Sequence, residues 1–343
     1  MKLSNHQMNQ WLDLLNQEGS VYGPILKKKG GSFSDLDRVV YGKVNQIEDL
    51  IVDQKSYFSP KELVFPMRET LFYFEENEAR MPVTDEKPIF VFLRACDIHG
   101  LDRLDEIFLN NGPFKDPYYL NKRELIHTFL IGCETNFDNC FCVSMQTNQT
   151  DQYDAAFGFK GGEVHMTLSG DRLKRHEEKL LELGALKEDF SPAYVLENPT
   201  KVSIPPVGSV NKDDFVDTLW LSYSSRCIAC GRCNTSCPTC SCFTMQDTAF
   251  AGGILGQRRR RWASCHIKDY STMAGGHEFR KTNGEKMRFK TMHKINDYHK
   301  RFDKHMCVGC GRCDDVCPEY ISFSKCINLL NEVVEKREGQ QND

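Results

Sequence analysis

Eight cysteines in two identical runs are the residues whose spacing points most directly at chemistry. Cys227, Cys230, Cys233 and Cys237 precede Pro238, and Cys307, Cys310, Cys313 and Cys317 precede Pro318. Both runs read C-x-x-C-x-x-C-x-x-x-C-P, the bacterial ferredoxin spacing for 4Fe-4S clusters. Cysteines at i, i+3 and i+6 wrap one short turn, so three thiolates face one cubane while the fourth reaches the other cluster. The crosswise rule predicts that Cys227, Cys230, Cys233 and Cys317 hold cluster one, and Cys307, Cys310, Cys313 and Cys237 hold cluster two. Gly231 and Gly311 follow the second cysteine of each run, where a residue without Cβ can adopt positive φ close to the inorganic core. Pro238 and Pro318 fix φ after the fourth ligand. Cysteine tetrads also bind zinc, but structural zinc has no use for a repeated x-x-x-C-P ending.

The other eight cysteines form two groups. Cys96 follows one expected strand and Cys133 another, with Cys140 and Cys142 shortly after. Carboxyl ends of neighbouring parallel strands converge at a ligand crevice, so these four are read either as a third cluster site or as buried small hydrophobes. Cys240 and Cys242 must pack beside the clusters, as spare sulfur rather than as ligands, because a four-ligand cubane has no vacancy. Cys265-His266 is a lone pair of ligating types, and Cys326 has no assigned role.

The elements that must position these residues fall into two domains, expected at residues 1–205 and 206–343, with the boundary in the irregular stretch holding Pro192, Pro199, Pro205, Pro206 and Gly208. The first reads as an α/β domain with a mixed or parallel sheet. Residues 6–17 have helical apolar spacing, residues 89–93 (IFVFL) are a buried strand, and Asp97 is placed to cap the helix after it. Further strands are expected at 125–131 and 164–168, and a charged helix at 171–183. The second reads as a helical two-cluster ferredoxin-like domain, because about 70 residues separate the runs and helices are expected near 293–302 and 327–336.

Composition narrows the class further. Sixteen cysteines in 343 residues, behind a start without an apolar leader, fit a reducing cytoplasm better than a disulfide scaffold. No run approaches the length of a membrane helix, so no membrane insertion is expected. Net charge is −4, yet residues 256–305 carry fourteen Lys or Arg against five Asp or Glu. Such a stretch, headed by Arg258, Arg259, Arg260 and Arg261, suggests a docking face for an acidic partner or a set of cations offsetting the clusters. It has no nucleic-acid-binding signature, so no nucleic acid partner is expected. There is neither a G-x-G-x-x-G after a strand nor a P-loop, and no C-x5-C with a later C-x3-C outside the ferredoxin runs, as siroheme enzymes use.

Several blocks carry a resemblance: CIACGRCNTSCPTCSCFTMQD (227–247), RRRRWASCH (258–266), MAGGHEFRKTNGEKMRF (273–289) and CVGCGRCDDVCPEYISFSKCIN (307–328), with RACDIHGLDRLDEIFL, DPYYLNKRE and GCE…NCFCVSM upstream. Over residues 88–328 the chain resembles the iron–sulfur component of anaerobic sulfite reductase. The resemblance implies an electron-transfer role between two partners: a flavin-binding, NAD(P)H-oxidising subunit, and a siroheme subunit that reduces sulfite to sulfide. The same blocks are similar to the beta component of cytosolic nickel–iron hydrogenases, which relays electrons between the hydrogenase core and a flavin subunit. Either resemblance makes the ferredoxin-run cysteines cluster ligands.

Overall fold

The computed structural model describes residues 1–31, 34–75, 78–83, 86–250 and 255–341. Its strands are β1 (Lys2–Ser4), β2 (Ser20–Lys27), β3 (Arg38–Lys43), β4 (Arg68–Glu75), β5 (Glu78–Arg80), β6 (Ile89–Leu93), β7 (Ile126–Ile131), β8 (Ala155–Lys160), β9 (Glu163–Leu168), β10 (Phe243–Phe250) and β11 (Leu255–Trp262). Its α-helices are α1 (Asn5–Glu18), α2 (Ala95–Leu109), α3 (Pro117–Leu125), α4 (Lys174–Glu182), α5 (Leu221–Arg226), α6 (Arg232–Thr235), α7 (Asn283–Met292), α8 (Tyr298–Phe302), α9 (Arg312–Asp315) and α10 (Phe323–Gln341). The chain divides into two compact units. One comprises Met1–Pro60, Asp85–Phe137 and Gln146–Asn198, the other Lys61–Thr84, Asp138–Met145 and Pro199–Asp343.

The first unit is built on a seven-stranded sheet in the order β1-β9-β8-β7-β6-β2-β3. β2, β6, β7 and β8 run parallel, and the outer pairings β2/β3, β8/β9 and β1/β9 are antiparallel. Strand residues of β6 alternate between faces, yet Phe90, Val91, Phe92 and Leu93 are all buried, as in a parallel strand covered on both sides. On one face Trp11, Leu12 and Leu15 of α1 and Leu180 of α4 pack on Phe90, Phe92, Phe129 and Phe157. The Trp11 and Phe129 rings stack at 5.6 Å. α1 starts where it does because Ser4 and Gln7 form a reciprocal capping box, and α3 starts at Pro117 behind the Asp116 cap. Asp97 is not the cap of α2. Arg94 holds that position, and Asp97 lies in the first turn, accepting a hydrogen bond from the Tyr41 hydroxyl at 3.1 Å.

The second unit joins helices to an antiparallel sheet in the order β10-β11-β4-β5. Its apolar core gathers Phe141, Trp220, Tyr223, Met287, Ile295 and Leu330, together with Cys307 and Cys326. Sequence periodicity indicates helices here but not this sheet, whose β11 is half arginine. Arg260 is nevertheless buried, paired with Glu69 at 2.7 Å, whereas Arg258 pairs with Asp247 at the surface. Among the described residues no helix is long and apolar enough to cross a membrane.

Candidate iron–sulfur centre

The two cysteine runs fold alike. α5 ends at Cys227, the chain loops through Ala229 (φ 56°) and Gly231 (φ 73°), and the single turn α6 carries Cys233. In the second run Gly309 (φ 62°) and Gly311 (φ 70°) occupy the equivalent places before α9, which carries Cys313. Left-handed residues reverse the backbone twice within five residues, which turns three sulfurs to one side. Ala229 adopts that conformation with a Cβ, although alanine is strained there.

Gly309 and Gly311 are also sites of close approach. A Cβ on Gly309 would stand 2.6 Å from the Phe141 carbonyl, and one on Gly311 would stand 2.3 Å from the Asn139 oxygen. Segment Asn139–Cys142 therefore lies directly on the second run, tied by a Phe141 N–H to Gly309 carbonyl bond of 2.8 Å. The Cys140 thiol points at the Cys310 carbonyl, 3.5 Å away. Of the four cysteines expected to form an additional site, Cys140 and Cys142 belong to this unit. Cys96 and Cys133 belong to the other, where the Arg94 guanidinium donates to Cys133 Sγ at 3.4 Å.

Cys227, Cys230, Cys233 and Cys317 line a single cavity, with Cys313 also on its wall beside Ile228, Met287, Ile321 and Phe323. Burial pushes the Cys227 thiol up, with Cys233, Cys230 and Cys317 adding to the effect through their proximity. In the second quartet burial raises Cys307 to about 12 and Cys313 well above the ordinary thiol range; Cys310 and Cys237 are electrostatic neighbours of both. Among the described residues no three His, Cys, Asp or Glu side chains can share a single metal ion. Thiols ranged around a cavity instead of converging on a point suit a multi-atom cluster, so the residues fit a cubane.

Three buried ammonium groups surround these sulfurs. Lys294 Nζ donates to Thr239 Oγ1 at 2.8 Å and approaches Cys237 Sγ at 3.5 Å. Lys61 Nζ donates to the carbonyls of Asn234 and Cys240 at 3.1 and 2.9 Å. Lys290 lines the first cavity and lies 4.9 Å from the Phe323 ring. Burial opposes the charge of Lys290, but Cys233, Cys313, Cys240 and Cys237 outweigh it and hold its pKa well above the usual lysine value. Lys294 is shifted the same way: burial again opposes its charge, and Cys237, Cys240 and Cys307 outweigh it. Lys61 is shifted down, because burial prevails there. His266 Nδ1 lies 3.9 Å from Cys227 Sγ, and burial, reinforced by Lys290, lowers its pKa to about 3, so it is a neutral wall residue. Motif reading alone does not single out the lysines. Lys286, Lys290 and Lys294 recur every fourth residue, which marks one helix face, whereas Lys61 carries no signal at all.

A family model described as a 4Fe-4S dicluster domain matches residues 226–321. The matched span holds every cysteine of both runs. Over nearly its whole length the chain is similar to sulfhydrogenase 2 subunit beta of Pyrococcus furiosus, 28% identical over 354 residues covering 97% of this chain and 98% of that protein. No solved structure matches. The dicluster domain thus lies in the second unit, toward the carboxyl end of a mixed α/β chain.

Proposed function

We propose that this chain is the electron-relay subunit of a multisubunit oxidoreductase, of the nickel–iron hydrogenase beta type, working beside a flavin-binding, NAD(P)H-linked subunit. The observation that carries the reading is the single cavity lined by Cys227, Cys230 and Cys233 of one run together with Cys313 and Cys317 of the other. That sharing is what two clusters close enough for electron exchange require. Cys237 completes the second quartet with Cys307, Cys310 and Cys313. When bound, the clusters supply one-electron carriers. The protein's own part is to hold them on rigid turns, to exclude water with Met287, Ile321 and Phe323, and to set fixed positive charge beside them through Lys290 and Lys294.

Similarity along the full length to a sulfhydrogenase beta subunit supports the hydrogenase reading. Relay to a siroheme subunit that reduces sulfite is the second reading, supported by the SCPTCSCFTMQD and CPEYISFSKCIN stretches. Purifying the native complex anaerobically and measuring nickel, siroheme, flavin, iron and labile sulfide decides among these. Nickel without siroheme supports the hydrogenase-type relay and siroheme without nickel the second reading, while zinc without labile sulfide would end both. Cys230→Ala and Cys310→Ala are each expected to remove one cluster's iron; full iron in both variants would refute the quartets.

A further inference from the structure

Lys294 is placed on one quartet and not on the other. It sits in a π-helical turn, His293–Asp297, between α7 and α8, an irregularity found mostly at functional positions. Its backbone carbonyl accepts the Met306 N–H at 2.9 Å, and Met306 is the residue before Cys307. Its ammonium group reaches the opposite way, to Cys237 Sγ at 3.5 Å and Thr239 Oγ1 at 2.8 Å. The Thr239 hydroxyl lies 3.4 Å from the same sulfur. One residue therefore braces the start of the second cysteine run and brings charge to Cys237, the ligand that the first run lends to the second quartet. Lys294 is 2% exposed, pairs with no carboxylate among the described residues, and does not line the first cavity.

The other fixed charges distinguish the quartets less or act in the same sense. Asp314 lines the first cavity and also lies 3.3 Å from Cys313 Sγ of the second quartet. Lys290 lines the first cavity and has Cys233 of one quartet and Cys313 of the other as electrostatic neighbours. Glu319 lies on the first cavity, whereas Lys61, bound to the Asn234 and Cys240 carbonyls, lies on the side of Cys237. In the first quartet Cys227 and Cys317 receive only neutral backbone N–H bonds, from Ala229 at 3.4 Å and Ile321 at 3.3 Å. A reduced cubane carries one more negative charge than an oxidised one, so a buried cation on its ligand favours reduction and a carboxylate opposes it.

We propose that Lys294 sets the direction of electron transfer inside this chain, by holding the cluster of the second quartet at a higher reduction potential than the cluster of the first. One electron leaves the first cluster, which is oxidised, and enters the second, which is reduced. No bond forms or breaks and no proton moves; the ammonium group on Cys237 meets the added charge. The electron comes from the reduced flavin of the partner subunit, so the proposal rests on the relay reading and on each quartet holding one cubane.

The test reads potentials rather than turnover. The full chain is purified anaerobically, its iron and labile sulfide are counted, and it is titrated with dithionite through redox mediators while electron paramagnetic resonance follows each cluster. Native protein should show two midpoints at least about tenfold apart in reduction equilibrium, about 59 mV for one electron. Lys294→Met should lower the upper midpoint by about tenfold and leave the lower one within about threefold, whereas Lys294→Arg, which keeps the charge, should leave both within about threefold of native. Cys230→Ala, which keeps only the second cluster, should retain the upper midpoint, and that midpoint should still fall when Lys294→Met is added. Equal native midpoints, an upper midpoint that survives in Cys310→Ala instead, equal shifts of both midpoints in Lys294→Met, or a shift as large in Lys294→Arg would each overturn the proposal. The native and single-cluster titrations decide it even where Lys294→Met fails to load iron. Less iron than two cubanes in the native chain would refute the quartets themselves, and the proposal with them.

Discussion

Replacing Gly309 by alanine tests how the second cysteine run is held. At φ 62° an alanine carries about 1–2 kcal/mol of left-handed strain. Its Cβ would also stand 2.6 Å from the Phe141 carbonyl and 2.7 Å from Cys142 Cα. Both are backbone neighbours that cannot rotate away, so segment Asn139–Cys142 must shift. That shift breaks the 2.8 Å Phe141 N–H to Gly309 bond, worth about 1 kcal/mol, before any loss from moving the fully buried Phe141 ring. The sum is about 2–3 kcal/mol, which at about 1.4 kcal/mol per decade is roughly thirtyfold to a hundredfold. Release of iron to a chelator under anaerobic conditions, followed by the decay of visible absorbance, should accelerate by that factor. Ala229→Gly is the built-in control. It relieves the same strain in the first run, offset by about 0.4–1 kcal/mol of added unfolded-chain entropy, so release should be unchanged or slower. If Gly309→Ala released iron within threefold of the native rate, or Ala229→Gly proved as damaging, close packing at the turn would not be what holds the run.

The arginines of β11 should behave unequally. Arg260→Met strands the buried Glu69 carboxylate and should destabilise the unit by about 3 kcal/mol, whereas Arg258→Gln, which opens a fully exposed pair, should leave the urea midpoint unmoved; equal effects would contradict the burial assignment. Arg259 and Arg261 are the members of the run left to meet a partner, so Arg259→Gln with Arg261→Gln should weaken assembly with an acidic subunit most visibly at raised salt, with iron content unchanged; assembly indifferent to both changes across a salt series would refute docking. In the first unit, burial and then Arg172 lower the His127 pKa from 6.5 to about 4. The unfolded chain therefore binds the extra proton between those values, and stability should fall as pH drops from 7 to 5, by about 1–2 kcal/mol. His127→Phe, which keeps the stack on Phe90, should flatten that slope in urea unfolding read by tryptophan fluorescence, and an unchanged slope would exclude His127 as its source.

The features legible in the sequence are those written in local period. β6 is a continuous apolar run, α1 has a capping box and a clean apolar face, and the cysteine runs repeat at fixed spacing. Other features depend on partners far along the chain. β11 reads as a charged, solvated run; it is a strand by pairing with β10 and with β4, and β4, nearly 190 residues away, supplies the Glu69 that pairs the buried Arg260. Segments Lys61–Thr84 and Asp138–Met145 join the second unit for the same reason, by pairing and by the close approach at Gly309 and Gly311. Residue type alone makes Asp97 a cap, but the capping position falls three residues earlier and a tyrosine from β3 claims the carboxylate.

The charge of residues 256–305 takes on a different meaning once burial is known. Lys286, Lys290 and Lys294 are each nearly inaccessible to water, and an ammonium group withdrawn from water needs an anion close by. Lys286 has Glu278 at 3.6 Å. For Lys290 and Lys294 the negative charge comes from cysteine sulfur. Neutral thiols do not provide it, and the thiols of Cys307 and Cys313 are driven toward neutrality by their own burial. Thiolates fixed by bound iron would. Because metal binding removes those protons and supplies the counter-charge together, cluster insertion and consolidation of this core become one equilibrium. The core is made of the same residues: Cys307 packs with Met287, Ile321 and Phe323, and the last three line the first cavity. A fold so arranged is complete only when its clusters are bound, and the lysines are what the sequence's basic stretch contributes to that completion.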